Sequence, residues 1–287
     1  MDRHTLSNGR IAATVKADGA ELCSLQNATG QELLWQAGPA WPRHAPILFP
    51  IVGRLKGDVL HHRGKTYPMT QHGFARDLRF EWTAHDAQSC SLELRDSAAT
   101  REKFPFVFRL LVTYAVHDDE LVITYEVSNT GDEMMPASIG AHPAFAWPLP
   151  GAEDKASHTL VFSDAEPAPV RRLDGGLLRA QSEPSPVEGG ALSLSEELFA
   201  DDAIVIDQLA STSLRYMAPG APTIDLSWQG FHQLGLWSKP GAAFLCIEPW
   251  LGYASPVDFD GEFSRKPGVI HIAIGETRRY VQRIGVS

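Results

Sequence analysis

The chain has 287 residues, 44% hydrophobic and 21% charged, with a formal net charge of −10. So acidic a balance lacks the basic stripe that neutralises phosphates, which excludes nucleic acid as a partner. No apolar run approaches the ~18 residues that cross a bilayer, and Met1-Asp2-Arg3-His4-Thr5 leads into a turn rather than an apolar signal segment, so a cytoplasmic protein without a leader or membrane contact is expected.

The segment Thr5 to Val15 carries Asn8-Gly9 between two strand-like pieces, the strongest short hairpin signal. Glu21–Leu25 and the following Asn27–Trp35 repeat the pattern of strand, turn, strand, and Ile47-Leu48-Phe49-Pro50-Ile51-Val52-Gly53-Arg54 presents an arginine after an apolar run. From Phe80 to Val127 four runs rich in Val, Phe, Tyr and Thr predict an antiparallel meander: Phe80–Thr83, Ser89–Leu94, Phe106–Val116 and Leu121–Val127. Asp154–Gly190 is dense in Pro, Gly, Ser and Glu and reads as surface loops. Ser193, three positions before Glu196, forms a weak capping box for one short helix ending at Phe199. Strands resume at Ala203–Ile206, Ser213–Met217, Thr223–Trp228, Gln233–Trp237, Ala243–Ile247 and Val269–Ile274, with an alternating tail at Thr277–Ile284.

No long segment keeps a 3.6 period, and glycine and proline, 24 and 20 in number, are spread evenly along the chain. That is the profile of an all-β protein of many short strands. No composition break or internal repeat divides it, so residues 1–287 are expected to form a single domain. Cys23, Cys90 and Cys246 are odd in number, widely spaced and lack a CxxC pair. They read as buried thiols in a reducing compartment, neither disulfides nor zinc ligands.

Three stretches do not suit a packing role. His142 sits in Gly140-Ala141-His142-Pro143, where Pro143 restricts it to extended backbone, and Phe145, Trp147 and Pro148 are stiff apolar neighbours suited to walling a cleft. An imidazole fixed there is a candidate proton donor at neutral pH. The second stretch is His72-Gly73-Phe74-Ala75-Arg76. In the third, Glu248 follows the apolar run Ala243–Ile247 and precedes Pro249, which points to a strand end. A carboxyl at such a rim tends toward a raised pKa, useful for a general base. Two imidazoles and one carboxylate suffice to move protons at two oxygens of a neutral substrate. No nucleophile elbow, P-loop or dinucleotide fingerprint competes. The pair His61-His62 lacks ligand spacing with a supporting carboxylate, so neither a metal nor another cofactor is expected.

These stretches, with Gly19-Ala20-Glu21-Leu22, Leu34-Trp35, Ala45–Arg54, Asn129-Thr130-Gly131, His142-Pro143-Ala144-Phe145 and Glu248-Pro249-Trp250, resemble the aldose 1-epimerases, or galactose-mutarotase-like proteins, nearly end to end. The resemblance is greatest to the bacterial subgroup with HGFAR and HPAF motifs. It implies a large antiparallel β-sandwich with a sugar cleft and a reaction that exchanges the α and β anomers of an aldose by ring opening and reclosure. It also implies roles: Glu248 as base toward the C1 hydroxyl, His142 as acid toward the ring oxygen, and His72 and Arg54 as ligands of the sugar. Asp202 is matched to the family's sugar-binding aspartate, with Asp201 and Asp207 as alternatives. Arg76 is a further candidate for the substrate, or a surface ion-pair member. Trp237 and Trp250 are either core or a stacking face for a pyranose. The expected partner is a small sugar, neutral or phosphorylated, bound by a monomer or homodimer. The alternatives are a hexose-6-phosphate mutarotase, for which Arg54, Arg76, Arg101 or Lys239 could supply the cation, and a carbohydrate-binding protein without turnover.

Overall fold

Alternation along the strands shows how this chain builds its core. In the computed structural model, which describes Met1–Ser287, the strand Phe108–His117 buries Phe108, Leu110, Val112, Tyr114 and Val116 and leaves the residues between them half-exposed. Such a strand has one wet and one dry face, and it must lay the dry face on another sheet. The four-run meander forms as expected, with Glu81–His85, Ser89–Arg95, Phe108–His117 and Glu120–Asn129 adjacent and antiparallel. They belong to a nine-stranded sheet that continues through Thr277–Val286, Ile224–Gln229, Ser213–Met217 and Thr159–Phe162 to Ala191–Ser193. An eight-stranded sheet runs from Leu177–Glu183 through Val170–Asp174, Ile204–Ile206, Gln233–Trp237, Phe244–Leu251 and Ile139–Ala141 to Ile47–Leu48, with Ala144–Ala146 also paired to Phe244–Leu251. Both contribute to one cluster of 65 buried residues, Val112 and Tyr114 from the first and Leu236, Leu245 and Ile247 from the second. This is an all-β antiparallel sandwich. No helix is long and apolar enough to cross a membrane.

The central strand Phe244–Leu251 is buried at all eight positions. Leu245 and Ile247 enter the sandwich core, while Phe244 and Cys246 join a small cluster with Ala144 on the opposite face. Along that second face the next positions are Glu248 and Trp250. The strand's other flank is interrupted: Ala144–Ala146 pairs with 244–246, Ile139–Ala141 with 250–251, and His142-Pro143 is the break between them. Ile247 N–H donates to Pro143 O on that flank, so Pro249, two residues on, turns its missing donor toward the same gap and no ladder bond is lost.

Two expectations are corrected. Asp154–Gly190 contains three strands, Thr159–Phe162, Val170–Asp174 and Leu177–Glu183. The last is an edge strand with little buried surface, so its composition is that of a loop. The overlooked signal was Gly175-Gly176: both have positive φ, 57° and 83°, and close a two-residue hairpin between Asp174 and Leu177. The short helix is a 3-10 turn over Glu196–Phe199 capped at Ser195 without a side-chain bond, and Ser193 ends a strand instead.

Candidate active site

His142, Glu248 and His72, distant in sequence, meet at a cavity of about 270 Å³ that also includes Trp41, Gln71, Arg76, Asp202, Trp237 and Trp250 in its wall. Glu248 lies in the middle of its strand, not at its end, and its carboxyl faces the break that holds the imidazole. His142 Nε2 and Glu248 Oε2 are 3.2 Å apart with both side chains almost fully buried.

Burial sets their charges. It drives His142 down to about 3, helped by the nearby Arg76 cation. It pushes the Glu248 carboxyl well above the usual range; the indole N–H of Trp250 opposes this and the Asp202 charge reinforces it. Desolvation thus biases both groups toward their uncharged forms, the neutral imidazole and the protonated carboxyl.

His72 is oriented by backbone. Its φ is +66° and that of Gly73 +74°, and a Cβ at residue 73 would stand 2.2 Å from Phe49 O. Only glycine allows so close an approach. The turn directs the His72 N–H to Gly53 O, while Gly53 N–H donates to His72 Nδ1 at 3.2 Å. Nδ1 is thus an acceptor, leaving Nε2–H as the donor offered to the cavity. Desolvation, with the neighbouring His142, Arg76 and Arg43, holds His72 well below the ordinary imidazole value, so it stays neutral.

Trp250 lies across the sheet because its neighbours have no side chain there: a Cβ at Gly235 or Gly140 would come within 2.3 Å or 2.6 Å of the indole. Trp237 meets His142 edge-on at 6.0 Å. Trp41, which the sequence reading did not single out, stacks on the His142 ring at 4.9 Å and 25°. Its signal was available: a tryptophan between Pro39 and Pro42, outside any strand pattern. Buried Glu21 anchors the end of that loop, accepting from the His44 and Ala45 amides.

Among the other sequence candidates, Arg76 lines the cavity, its Nη2 bonded to Gln71 O at 2.6 Å, and burial lowers its guanidinium to about 10. Of the three aspartates, Asp202 alone lines the cavity, held in a turn with φ +63°. Asp201 is tied to Arg179 at 2.7 and 2.8 Å, and Asp207 faces Arg171. Arg54 corrects the expectation made for it. It follows Gly53, whose φ is +72°, and grips Asp58 through Nε and Nη2 at 2.7 and 2.5 Å, with Nη1 on Gly175 O. It takes no part in the cavity wall; the cation found there is Arg76.

Four buried polar atoms in this wall have no hydrogen-bond partner in the protein: His142 Nδ1, Glu248 Oε2, Arg76 Nε and Trp250 Nε1. Buried polar groups are costly unless bonded, so these are the atoms that a ligand with donors and acceptors of its own would satisfy. Beside the pair, Cys246 Sγ completes a set of three potential metal donors within 4.8 Å of one another. His61 and His62 lie elsewhere, on the strand Val59–His62, with His62 facing Glu133.

Comparison with known proteins places the whole chain in a family and a fold. The family profile described as aldose 1-epimerase matches residues 2–270. The protein LacX of Lactococcus lactis subsp. lactis, in plasmid and chromosomal forms, is 30% identical over 279 residues, 93% of each chain. A galactose mutarotase related enzyme from Lactobacillus acidophilus superposes with a TM-score of 0.92 at 32% identity, covering 99% of this chain and 97% of the other. A galactose mutarotase-like protein from Lactobacillus casei gives 0.92 at 29% identity, covering 99% and 100%.

Proposed function

This chain belongs to the aldose 1-epimerase family, and on that premise we propose that it is a mutarotase acting on a neutral aldose. The observation that carries the reading is the contact between His142 and Glu248, an acid–base pair facing a cavity of monosaccharide size. Holding a neutral sugar needs hydrogen bonds and a stacking face but no such pair, which favours turnover over binding alone.

Ring opening takes a proton from the C1 hydroxyl and gives one to the ring oxygen. In the proposed mechanism Glu248 is the base and His142 the acid. The proton that rests on Glu248 first crosses the 3.2 Å contact to His142, a transfer favoured when sugar hydroxyls surround the pair with dipoles. The carboxylate then accepts the O1 proton as His142 protonates O5, and the C1–O5 bond breaks to the open-chain aldehyde. Rotation about C1–C2 and the reverse transfers close the ring as the other anomer. His72 Nε2–H, Arg76 and Asp202 serve as hydroxyl ligands, with Trp41, Trp237 and Trp250 as apolar faces for the pyranose.

The wall offers one permanent cation, Arg76, beside the acidic Asp202. A phosphate dianion typically needs a richer cationic pocket, so a neutral sugar is favoured over a hexose phosphate. Polarimetry on freshly dissolved α-anomers of several hexoses and their 6-phosphates tests this: equilibration faster than buffer is expected for at least one neutral hexose and not for the phosphates. No acceleration with any sugar would remove the mutarotase reading.

Arginine substitutions separate site from scaffold. Arg76→Ala is expected to raise KM by about tenfold or more with a smaller change in kcat, because a hydroxyl contact present in ground and transition states contributes uniform binding. Arg54→Ala is expected to leave both constants near those of the wild type, its ion pair being solvent-exposed. The reverse ranking would place the sugar on the wrong side of Gly53.

A further inference from the structure

We propose that His142, Cys246 and Glu248 form a binding site for one thiophilic divalent cation of the Zn²⁺ type, which competes with the sugar for the acid–base pair. Cys246 and Glu248 project from the same face of Phe244–Leu251, two residues apart, and His142 enters from the break in the neighbouring strands. Their donor atoms, one nitrogen, one sulfur and one oxygen, lie within 4.8 Å of one another. Tetrahedral zinc, with bonds of about 2.0–2.3 Å, places its ligands about 3.3–3.8 Å apart. The 3.2 Å between His142 Nε2 and Glu248 Oε2 is close to one such edge, and with all donors within 4.8 Å a turn of the Cys246 side chain is the adjustment the other edges ask for. Glu248 Oε2 is buried and its one close polar neighbour is His142 Nε2, the contact that the cation would replace.

Charge balance favours the occupant. A thiolate and a carboxylate together neutralise a divalent cation, so the complex buries no net charge. Arg76 repels a bare cation but not that neutral complex. Binding displaces the Cys246 thiol proton and the Glu248 carboxyl proton, two protons for each cation, with no electron transferred. The fourth position opens to the cavity, where an oxygen of water or sugar completes the tetrahedron. The cation reaches the site through the cavity, since His142 and Glu248 are in its wall, while Cys246 is fully buried beside them. Cys23 and Cys90 are also buried but belong to no such donor group.

The test is a Cd²⁺ titration of the whole reduced protein, read by the ultraviolet charge-transfer band of a cadmium thiolate. Saturation at one equivalent is expected in the wild type and in Cys90→Ala, with loss of the band in Cys246→Ala and in the more conservative Cys246→Ser. Zn²⁺ should displace the bound Cd²⁺. No band in the wild type, or an undiminished band in either Cys246 variant, overturns the proposal. The competition with sugar rests on the mutarotase reading: Zn²⁺ is expected to slow the enzymatic rate, and the Cys246 variants to need at least tenfold more cation for the same effect. A cadmium band without any mutarotase activity would keep the cation site and refute the enzyme, so the two failures are distinct.

Discussion

Glu248→Gln is expected to lower kcat by about 10²–10⁴-fold, the usual worth of general acid–base assistance, while KM changes little. The amide keeps the shape of the carboxyl but cannot take a proton from the C1 hydroxyl. Polarimetry on the best sugar measures the loss, with the spontaneous rate in buffer as the floor. The same substitution is expected to stabilise the fold at neutral pH. Burial raises the folded-state pKa of Glu248 well above 4.5, so above that value the folded protein holds a proton that the unfolded chain has released. Stability therefore falls as pH rises from 4.5 toward the folded pKa, and an uncharged glutamine escapes this loss. A higher melting temperature with lost turnover marks a group kept for chemistry at a cost to the fold. Full activity in Glu248→Gln would mean a different base or a different reaction.

His142→Asn is expected to cost a similar 10²–10⁴-fold in kcat, because the ring oxygen loses its proton donor. Its stability signature has the opposite sign in pH. Burial holds the folded His142 at about 3 against an ordinary 6.5, so as pH falls through this window the unfolded chain binds a proton that the folded one refuses. Wild-type stability then declines toward acid, and the variant should decline less steeply between pH 6.5 and about 3. The slope is the readout, since the variant also loses the stacking of Trp41 on the ring. For the same reason wild-type kcat/KM should not fall as pH crosses the ordinary histidine range. A steep acid limb near pH 6.5 would place a free, solvated histidine in the catalytic step and displace the buried His142–Glu248 pair.

Much of this was legible in the residues. Period-2 alternation in Phe108–His117 and Glu120–Asn129 foretold the meander because each strand is dry on one side only, and that rule is local. His72, His142 and Glu248 stood out because their neighbours Gly73, Pro143 and Pro249 are unusual companions for packing residues. An edge strand such as Leu177–Glu183 escaped, since a strand that buries little needs no apolar pattern. Trp41 escaped because a loop residue's direction depends on where the loop is anchored, here by Glu21, just before the strand Leu22–Gln26.

By itself the sequence determined the all-β class and the order of most strands, and it singled out His72, His142 and Glu248 as candidates, because periodicity and the backbone limits of glycine and proline act over a few residues. Tertiary structure alone decided which arginine faces the cavity, since Gly53 turns Arg54 onto Asp58 while Arg76 arrives from another loop. It decided likewise which of three neighbouring aspartates does so. It decided the charges too: His142 and Glu248 exchange their ordinary protonation states only because the sandwich removes both from water and sets them 3.2 Å apart. Desolvation and close approach belong to the assembled sheets, and no local stretch of chain contains them.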